Sequence, residues 1–187
     1  MLSKSPDTRM VEEWFQLNDN SFYYVECISL MHGLIRKLPW KPFMKTKRMV
    51  CSMGKAYPYS GQVAEATPFE VYPELEELMK AINECLGMEY NAILLNWYPE
   101  GKYVGIGAHA DDEKELVKSH PIASLSLGES CRFIFTDKFG GEERVEVTLG
   151  CGDLFLMGKE CQRYYKHAIP YGIMGGHRIS LTFREFK

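Results

Sequence analysis

The chain has 187 residues, enough for one domain with a sizeable core, and its 45% hydrophobic and 25% charged residues are typical of a soluble globular protein. The net charge of −3 does not indicate a nucleic-acid-binding protein. The opening residues M-L-S-K-S-P-D-T-R-M carry no apolar signal segment, and no apolar run approaches the roughly 20 residues that span a bilayer. We therefore expect one intracellular domain, nuclear or cytoplasmic, without membrane association.

The cysteines support a reducing compartment. The six are scattered, and no pair has the C-x-x-C spacing of a zinc site. They are Cys27, Cys51, Cys85, Cys131, Cys151 and Cys161. The simplest interpretation is that these thiols are buried or have no functional role.

In chain order, the first predicted element is a helix at 21–38, where apolar residues recur at roughly helical spacing and Pro39 ends it. Residues 40–60 predict loop and short strand. A second helix begins at Pro73, has acidic residues in its first turn and ends near Gly87.

From Tyr90 onward the pattern predicts short strands separated by glycine-rich or charged turns, which favours a sandwich or barrel. The predicted strands are 92–98, 122–127, 131–137, 144–149, 153–157, 165–169 and 178–186.

The last strand alternates strictly. Arg178, Ser180, Thr182 and Arg184 share one face, and the residues between them are apolar. The polar face either meets solvent on an edge strand or lines a cavity. Strand parity leaves both open.

A basic stretch lies between Arg36 and Lys55, which contains seven Lys and Arg residues and no acidic residue. It is either a solvated loop or a patch that contacts phosphates.

His109 and Asp111 are two residues apart, so on a strand both side chains would leave the same face. Two histidines and one carboxylate on one side of an ion leave three open positions, an arrangement that suits Fe(II). A lone H-x-D pair is weak, and with five histidines in the chain a third ligand is easily found by chance.

The arginines strengthen this interpretation. An oxo-acid with two carboxylates chelates iron at one end and needs its far carboxylate neutralised, for which a planar guanidinium offers paired hydrogen bonds. Arg178 follows His167 by eleven residues and shares a strand face with Arg184. Asn96 and Tyr98 share another strand face and add an amide and a phenol.

The spaced set Asn96-x-Tyr98, His109-x-Asp111, His167 and Arg178-x5-Arg184 resembles the AlkB family of Fe(II)/2-oxoglutarate dioxygenases. The resemblance extends over about 38–186 and includes H-A-D-D-E, P-I-A-S-L-S-L-G, C-G-D-L-F-L-M and R-I-S-L-T-F-R. It implies a mainly β (α+β) fold. This is a double-stranded β-helix, or jelly roll, at about 90–187 with N-terminal helices on one sheet, and a nucleotide-recognition lid at about 38–61.

The resemblance also implies the roles of individual residues, with Fe(II), 2-oxoglutarate and O2 as cofactors and co-substrate. The iron ligands would be His109, Asp111 and His167. The residues holding 2-oxoglutarate would be Asn96, Tyr98, Arg178, Thr182 and Arg184. The substrate-binding residues would be Arg48, Tyr57, Tyr59, Ser60, Asp112 and Glu113.

Within that set, Asp112 would read the exocyclic amine of a methylated base, with support from Glu113. A flipped base would stack between Tyr59 and the His109 ring. The wedge that duplex-acting relatives push into the base stack has no clear match; Phe43 or Met44 are the candidates.

The function implied is oxidative demethylation of N-alkylated bases, such as 1-methyladenine and 3-methylcytosine, in methylated DNA or RNA, as repair of alkylation damage by a monomer without an obligate protein partner. The rivals are an oxygenase of the same cofactors acting on protein or lipid, and a non-catalytic nucleic-acid-binding module. The sequence leaves polymer, strandedness and preferred lesion open.

Overall fold

The structure, a computed structural model, describes the backbone of residues 8–11, 20–44, 46–59 and 62–187 and the side chains of 25–44, 46–56 and 65–187. The helices are α1 (Asn20–Lys37), α2 (Pro73–Leu86) and α3 (Lys159–Tyr164), with a 3-10 turn at Phe69–Val71. The strands are β1 (Thr8–Val11), β2 (Lys41–Pro42), β3 (Met49–Gly54), β4 (Tyr57–Tyr59), β5 (Gln62–Ala64), β6 (Ala92–Tyr98), β7 (Tyr103–His109), β8 (Ile122–Gly128), β9 (Cys131–Asp137), β10 (Arg144–Leu149), β11 (Leu154–Met157), β12 (Tyr165–Ile173) and β13 (Arg178–Arg184).

Both predicted helices are confirmed. The first, α1, ends two residues before Pro39, whose ring cannot continue a helix. The second, α2, has Pro73 at its first position and ends on Gly87, whose left-handed backbone (φ 64°) lets its N–H bond to the carbonyl of Asn83. None of the described helices is long and apolar enough to cross a membrane.

The strands form two main antiparallel sheets and a small hairpin. The larger sheet has the order β1-β11-β8-β13-β6-β3-β2, the smaller one β10-β9-β12-β7, and β4 pairs with β5. This mainly β architecture, with consecutive strands divided between two sheets, confirms the expected jelly roll with flanking helices.

Two apolar clusters hold the layers together. In the first, α1 and α2 pack on the outer face of the larger sheet, through residues such as Leu34, Leu75 and Ile82 against Ile93 and Leu181. The second lies between the two sheets and includes Phe133, Phe135 and Phe155. The helices therefore cover one sheet, and the space between the sheets is left for the site.

The position of β13 in the sheet shows whether its polar face meets solvent or lines a cavity. Every residue of β13 is buried, because β6 and β8 flank it. Its apolar residues pack in the helix-facing cluster, and Arg178, Ser180, Thr182 and Arg184 line a cavity between the sheets. The edge-strand alternative is wrong.

Two elements that carry residues of the site are not predicted by the sequence pattern. The strand β7 contains Gly105 and Gly107, which lack the side chains that mark a strand pattern. The helix α3 has only six residues, too few to show a helical period. In addition, β12 extends to Ile173, beyond the predicted end at 169.

Candidate metal and oxo-acid site

The three predicted iron ligands converge at one end of the cavity. His109 and His167 are partners on the neighbouring strands β7 and β12, and their ring centroids are 4.3 Å apart. With Asp111 they offer ligand atoms that lie within 4.8 Å of one another. The expectation that His109 and Asp111 share a strand face is wrong, because β7 ends at His109 and Asp111 lies in the following loop.

Asp111 is held by contacts that are distant in sequence. Nη2 of Arg184 donates to its Oδ2 (2.6 Å), and its backbone N–H donates to Oε1 of Gln162 (2.9 Å). Its Oδ1 lies 3.6 Å from Nε2 of His109 and has no hydrogen-bond partner among the described residues. A buried carboxylate oxygen without a donor is the atom that a metal ion would satisfy.

The protonation states suit metal binding. Burial lowers the pKa of His167 to about 4, so its ring is neutral at pH 7. Burial alone would raise the pKa of Asp111, but Arg184 and the two imidazoles bring it down to about 2. Nδ1–H of His109 donates to the carbonyl of Gly107 (2.9 Å), which leaves Nε2, 3.6 Å from Oδ1 of Asp111, as the ring atom that could bind a metal. The donor set therefore fits Fe(II).

Arg178 lies at the other end of the cavity. Its side chain is 1% exposed, Nη2 donates to Oγ of Ser126 (3.0 Å), and its guanidinium lies 5.3 Å from the Tyr98 ring centroid. Among the described residues, Nε and Nη1 have no hydrogen-bond partner. A buried cation with unused donors is costly unless an anion joins it, so this end fits a ligand carboxylate.

The remaining residues predicted to hold 2-oxoglutarate line the same cavity. They are Asn96, Tyr98, Thr182 and Arg184. Asn96 is buried and accepts a hydrogen bond through Oδ1 from Nη1 of Arg48 (2.8 Å). Their contacts with the co-substrate stay predictions.

Arg48 does not belong to an exposed basic surface. It is 3% exposed, and its guanidinium lies 4.2 Å from the Phe43 ring centroid. The described contacts direct Arg48 inward to Asn96, so the expected phosphate-contacting patch does not include it. Its contact with substrate stays a prediction.

The predicted base-reading carboxylates lie beside the metal residues but do not line their cavity. Asp112 is exposed and pairs with Nζ of Lys138 (2.8 Å). Glu113 is partly buried, and burial followed by the neighbouring Asp111 charge raises its pKa. Of the lid, the β4–β5 hairpin is described, but the side chains of Tyr57 and Tyr59, and all of Ser60, lie outside the described residues.

A second cavity, of about 370 Å³, adjoins Asp111 and Asp112. Four basic residues line this basic cleft, namely Lys118, Lys138, Lys159 and Arg163, together with the carboxylates of Asp111, Asp112 and Glu160. Gln162 forms part of the wall between this basic cleft and the metal residues. Sequence reasoning missed Gln162 and Ser126, because a single amide or hydroxyl carries no motif.

The fold and the site define a class. A family model described as the 2OG-Fe(II) oxygenase superfamily matches residues 13–184. The chain belongs to this superfamily, as a member of its AlkB family. Its cofactors are accordingly Fe(II) and 2-oxoglutarate, for which the donors described above fit.

The relatives agree on this family. The chain is 30% identical over 154 residues to the DNA oxidative demethylase ALKBH2 of Mus musculus, an alignment that covers 78% of this chain and 63% of that protein. It is 31% identical over 177 residues to the alpha-ketoglutarate-dependent dioxygenase alkB homolog 3 of Bos taurus, covering 85% and 61%. The chain thus spans less than two thirds of the length of these relatives.

A solved structure supports the fold. The structure titled "The structure of OsALKBH1" superposes with a TM-score of 0.60, covers 98% of this chain and 100% of that one, and is 18% identical. At that identity the likeness concerns the fold alone.

Proposed function

We propose that this chain is an Fe(II)/2-oxoglutarate-dependent oxidative demethylase of N-alkylated bases in DNA or RNA. The proposal rests on one cavity. The ligand atoms of His109, Asp111 and His167 lie at one end of it, and the guanidinium of Arg178, with two nitrogens that have no partner among the described residues, lies at the other. The similarity to DNA oxidative demethylase ALKBH2 supports a nucleobase as substrate.

The metal residues act through geometry and charge. His109, Asp111 and His167 would hold Fe(II), and Arg184 keeps the Asp111 carboxylate ionised and fixed. When bound, iron with 2-oxoglutarate and O2 supplies the oxidising power to hydroxylate an N-methyl group, with succinate, CO2 and finally formaldehyde as products.

The cavity walls orient the co-substrate. Arg178 would neutralise its far carboxylate, with Tyr98 and Asn96 beside it. Apolar side chains complete the lining, namely Leu94, Ile106, Phe133, Met157 and Ile169. Charge pairing with the buried Arg178 would be stronger there than in bulk water.

Charge next to the metal residues supports a nucleic-acid substrate. Asp112 and Glu113 follow Asp111 directly and would favour a base that methylation has made cationic. The basic cleft on the other side of Asp112 carries four cations against three carboxylates, and this small positive excess would favour a phosphate of the substrate backbone.

The test is a succinate- and formaldehyde-release assay with Fe(II) and 2-oxoglutarate. The substrates are single-stranded DNA, duplex DNA and RNA oligonucleotides that carry 1-methyladenine or 3-methylcytosine. We expect succinate and formaldehyde in equal amounts from at least one methylated oligonucleotide, and neither product from the unmethylated oligonucleotide of the same sequence. Asp111→Ala should abolish turnover, whereas Arg132→Gln, at an exposed arginine of β9, should retain it. Full activity of Asp111→Ala would refute the metal assignment.

The same assay separates the rivals. Turnover on a peptide or lipid but on no methylated oligonucleotide would establish a different oxygenase. Tight oligonucleotide binding without succinate release, in iron-loaded protein, would establish a non-catalytic binding module.

A further inference from the structure

A pair of cysteines lies outside the metal cavity, between α1 and the turn that joins β10 to β11. Cys27 is on α1 and is buried, and Cys151 is partly exposed in the turn 150–152. Sγ of Cys27 lies 3.6 Å from the position that a Cβ on Gly152 would occupy, so it lies against the residue that follows Cys151, and each of the two thiols shifts the pKa of the other.

The turn places the sulfur of Cys151 against a backbone donor. The backbone N–H of Gly128 donates to Sγ of Cys151 (3.1 Å), a donor fixed by the β8 backbone. The hydrogen bond from Cys27, followed by that from Gly128, lowers the pKa of Cys151 to about 7, although burial and Asp153 oppose this. The same contact raises the pKa of Cys27, which stays a thiol.

Cys151 is also reachable. It lines a surface cavity of about 420 Å³, together with His32, Glu100, Glu129 and His177. A nucleophilic sulfur with an open approach on one side and a second sulfur on the other is the arrangement of a peroxide-reactive thiol and its resolving partner.

We propose that Cys151 is an oxidation site that reacts with hydroperoxides and is then captured by Cys27 as a disulfide between α1 and the β10–β11 turn. In the first step the Cys151 thiolate attacks the peroxide, an S–O bond forms, the O–O bond breaks, and the leaving oxygen takes a proton from water. The sulfur loses two electrons and the peroxide gains them. In the second step Cys27 attacks that sulfur, the S–S bond forms, and hydroxide leaves with the Cys27 proton as water.

Hydrogen bonds through Ser126 connect the pair to the co-substrate end of the cavity. The N–H of Gly152 donates to the carbonyl of Ser126 (2.7 Å), and Oγ of Ser126 accepts the hydrogen bond from Arg178. The disulfide would therefore form in the turn whose Gly152 is hydrogen-bonded to Ser126, the residue that also supports Arg178.

The experiment treats the reduced full chain with hydrogen peroxide at pH 7, blocks free thiols with N-ethylmaleimide and identifies modified peptides by mass spectrometry. We expect a Cys27–Cys151 disulfide as the main product. Cys85, which is exposed at the end of α2, is the internal reference. Because a larger thiolate fraction is partly offset by lower nucleophilicity, Cys151 should be lost about three times faster than a free cysteine with a pKa of about 8.5.

Two variants complete the test. Cys27→Ser should leave a Cys151 sulfenic acid that dimedone traps, and Cys151→Ser should leave Cys27 unmodified. The comparison of Cys151 with Cys85 within the unsubstituted chain does not depend on how the variants fold. Oxidation of Cys85 ahead of Cys151, or a disulfide from Cys151 to any cysteine other than Cys27, would overturn the proposal.

Discussion

At the scale of single residues, the site depends on charged groups that are buried and only partly satisfied. Within the described part of the chain, Arg178 has unused donors and Asp111 has an unused acceptor, and both lie in one cavity. Such groups are costly in an empty pocket, so the protein keeps them in a fold whose stability comes from elsewhere. Ligand binding removes that cost, which makes these residues sensitive to substitution.

Arg178→Gln should weaken 2-oxoglutarate binding by about 30-fold or more, because a charged hydrogen bond contributes about 2 kcal/mol and the buried carboxylate loses its counter-ion. Calorimetric titration of the iron-loaded or zinc-substituted protein measures this. Arg132→Gln, at an exposed arginine, should bind normally. Equal affinity of the Arg178 variant would show that the far carboxylate lies elsewhere.

Gln162→Met should weaken metal binding by about 10- to 100-fold, the range typical for residues that orient a metal ligand. Met has a similar volume, but its thioether sulfur is a much weaker acceptor for the Asp111 N–H than the amide oxygen. Competition with a chelating dye measures the metal affinity, and Co(II) spectra report the coordination. Arg163→Ala, next to Gln162 but with an exposed side chain, is the control. An unchanged metal affinity in the Gln162 variant would contradict this role.

At the scale of elements, β13 connects fold and chemistry. Its two faces have different roles, because one packs on the helices and the other lines the cavity. The sequence predicts the alternation, but only the neighbours β6 and β8 show that both faces are buried. The strand β7 carries His109 but was not predicted from the sequence, because its glycines interrupt the alternation of apolar and polar side chains.

Substitutions on the two faces of β13 should separate stability from binding. Leu181→Ala should lower the free energy of unfolding by about 2–5 kcal/mol through a cavity in the core, with little effect on 2-oxoglutarate affinity. Thr182→Val keeps the volume and should mainly lower that affinity. Urea denaturation and calorimetric titration measure the two quantities. The reverse pattern would contradict the assignment of faces.

At the scale of the whole molecule, ligand binding and folding are coupled. Ligands placed between two sheets bind only the folded state. A ligand at 100 times its dissociation constant stabilises that state by about 2.7 kcal/mol. For a domain of this size this corresponds to a rise in Tm of roughly 5–10 °C.

We therefore expect Tm to rise in two steps, first with an inert divalent metal and then with 2-oxoglutarate, and to fall again when a chelator removes the metal. Differential scanning fluorimetry measures both steps. Arg178→Gln should keep the metal step and lose the second. A 2-oxoglutarate step of full size without metal would contradict a shared site.

The sequence by itself predicted the two helices and most strands of the jelly roll, because periodicity, caps and turn residues are local properties of the chain. Its motif spacing also predicted which residues would bind the metal and the oxo-acid. Only the tertiary structure decided that both faces of β13 are buried, that Arg48 points inward to Asn96, and that Gln162 and Ser126 hold the residues of the site. It also brought Cys27 next to Cys151, 124 residues apart in the chain. The physical reason is that burial and long-range hydrogen bonds arise from packing, which no local pattern encodes.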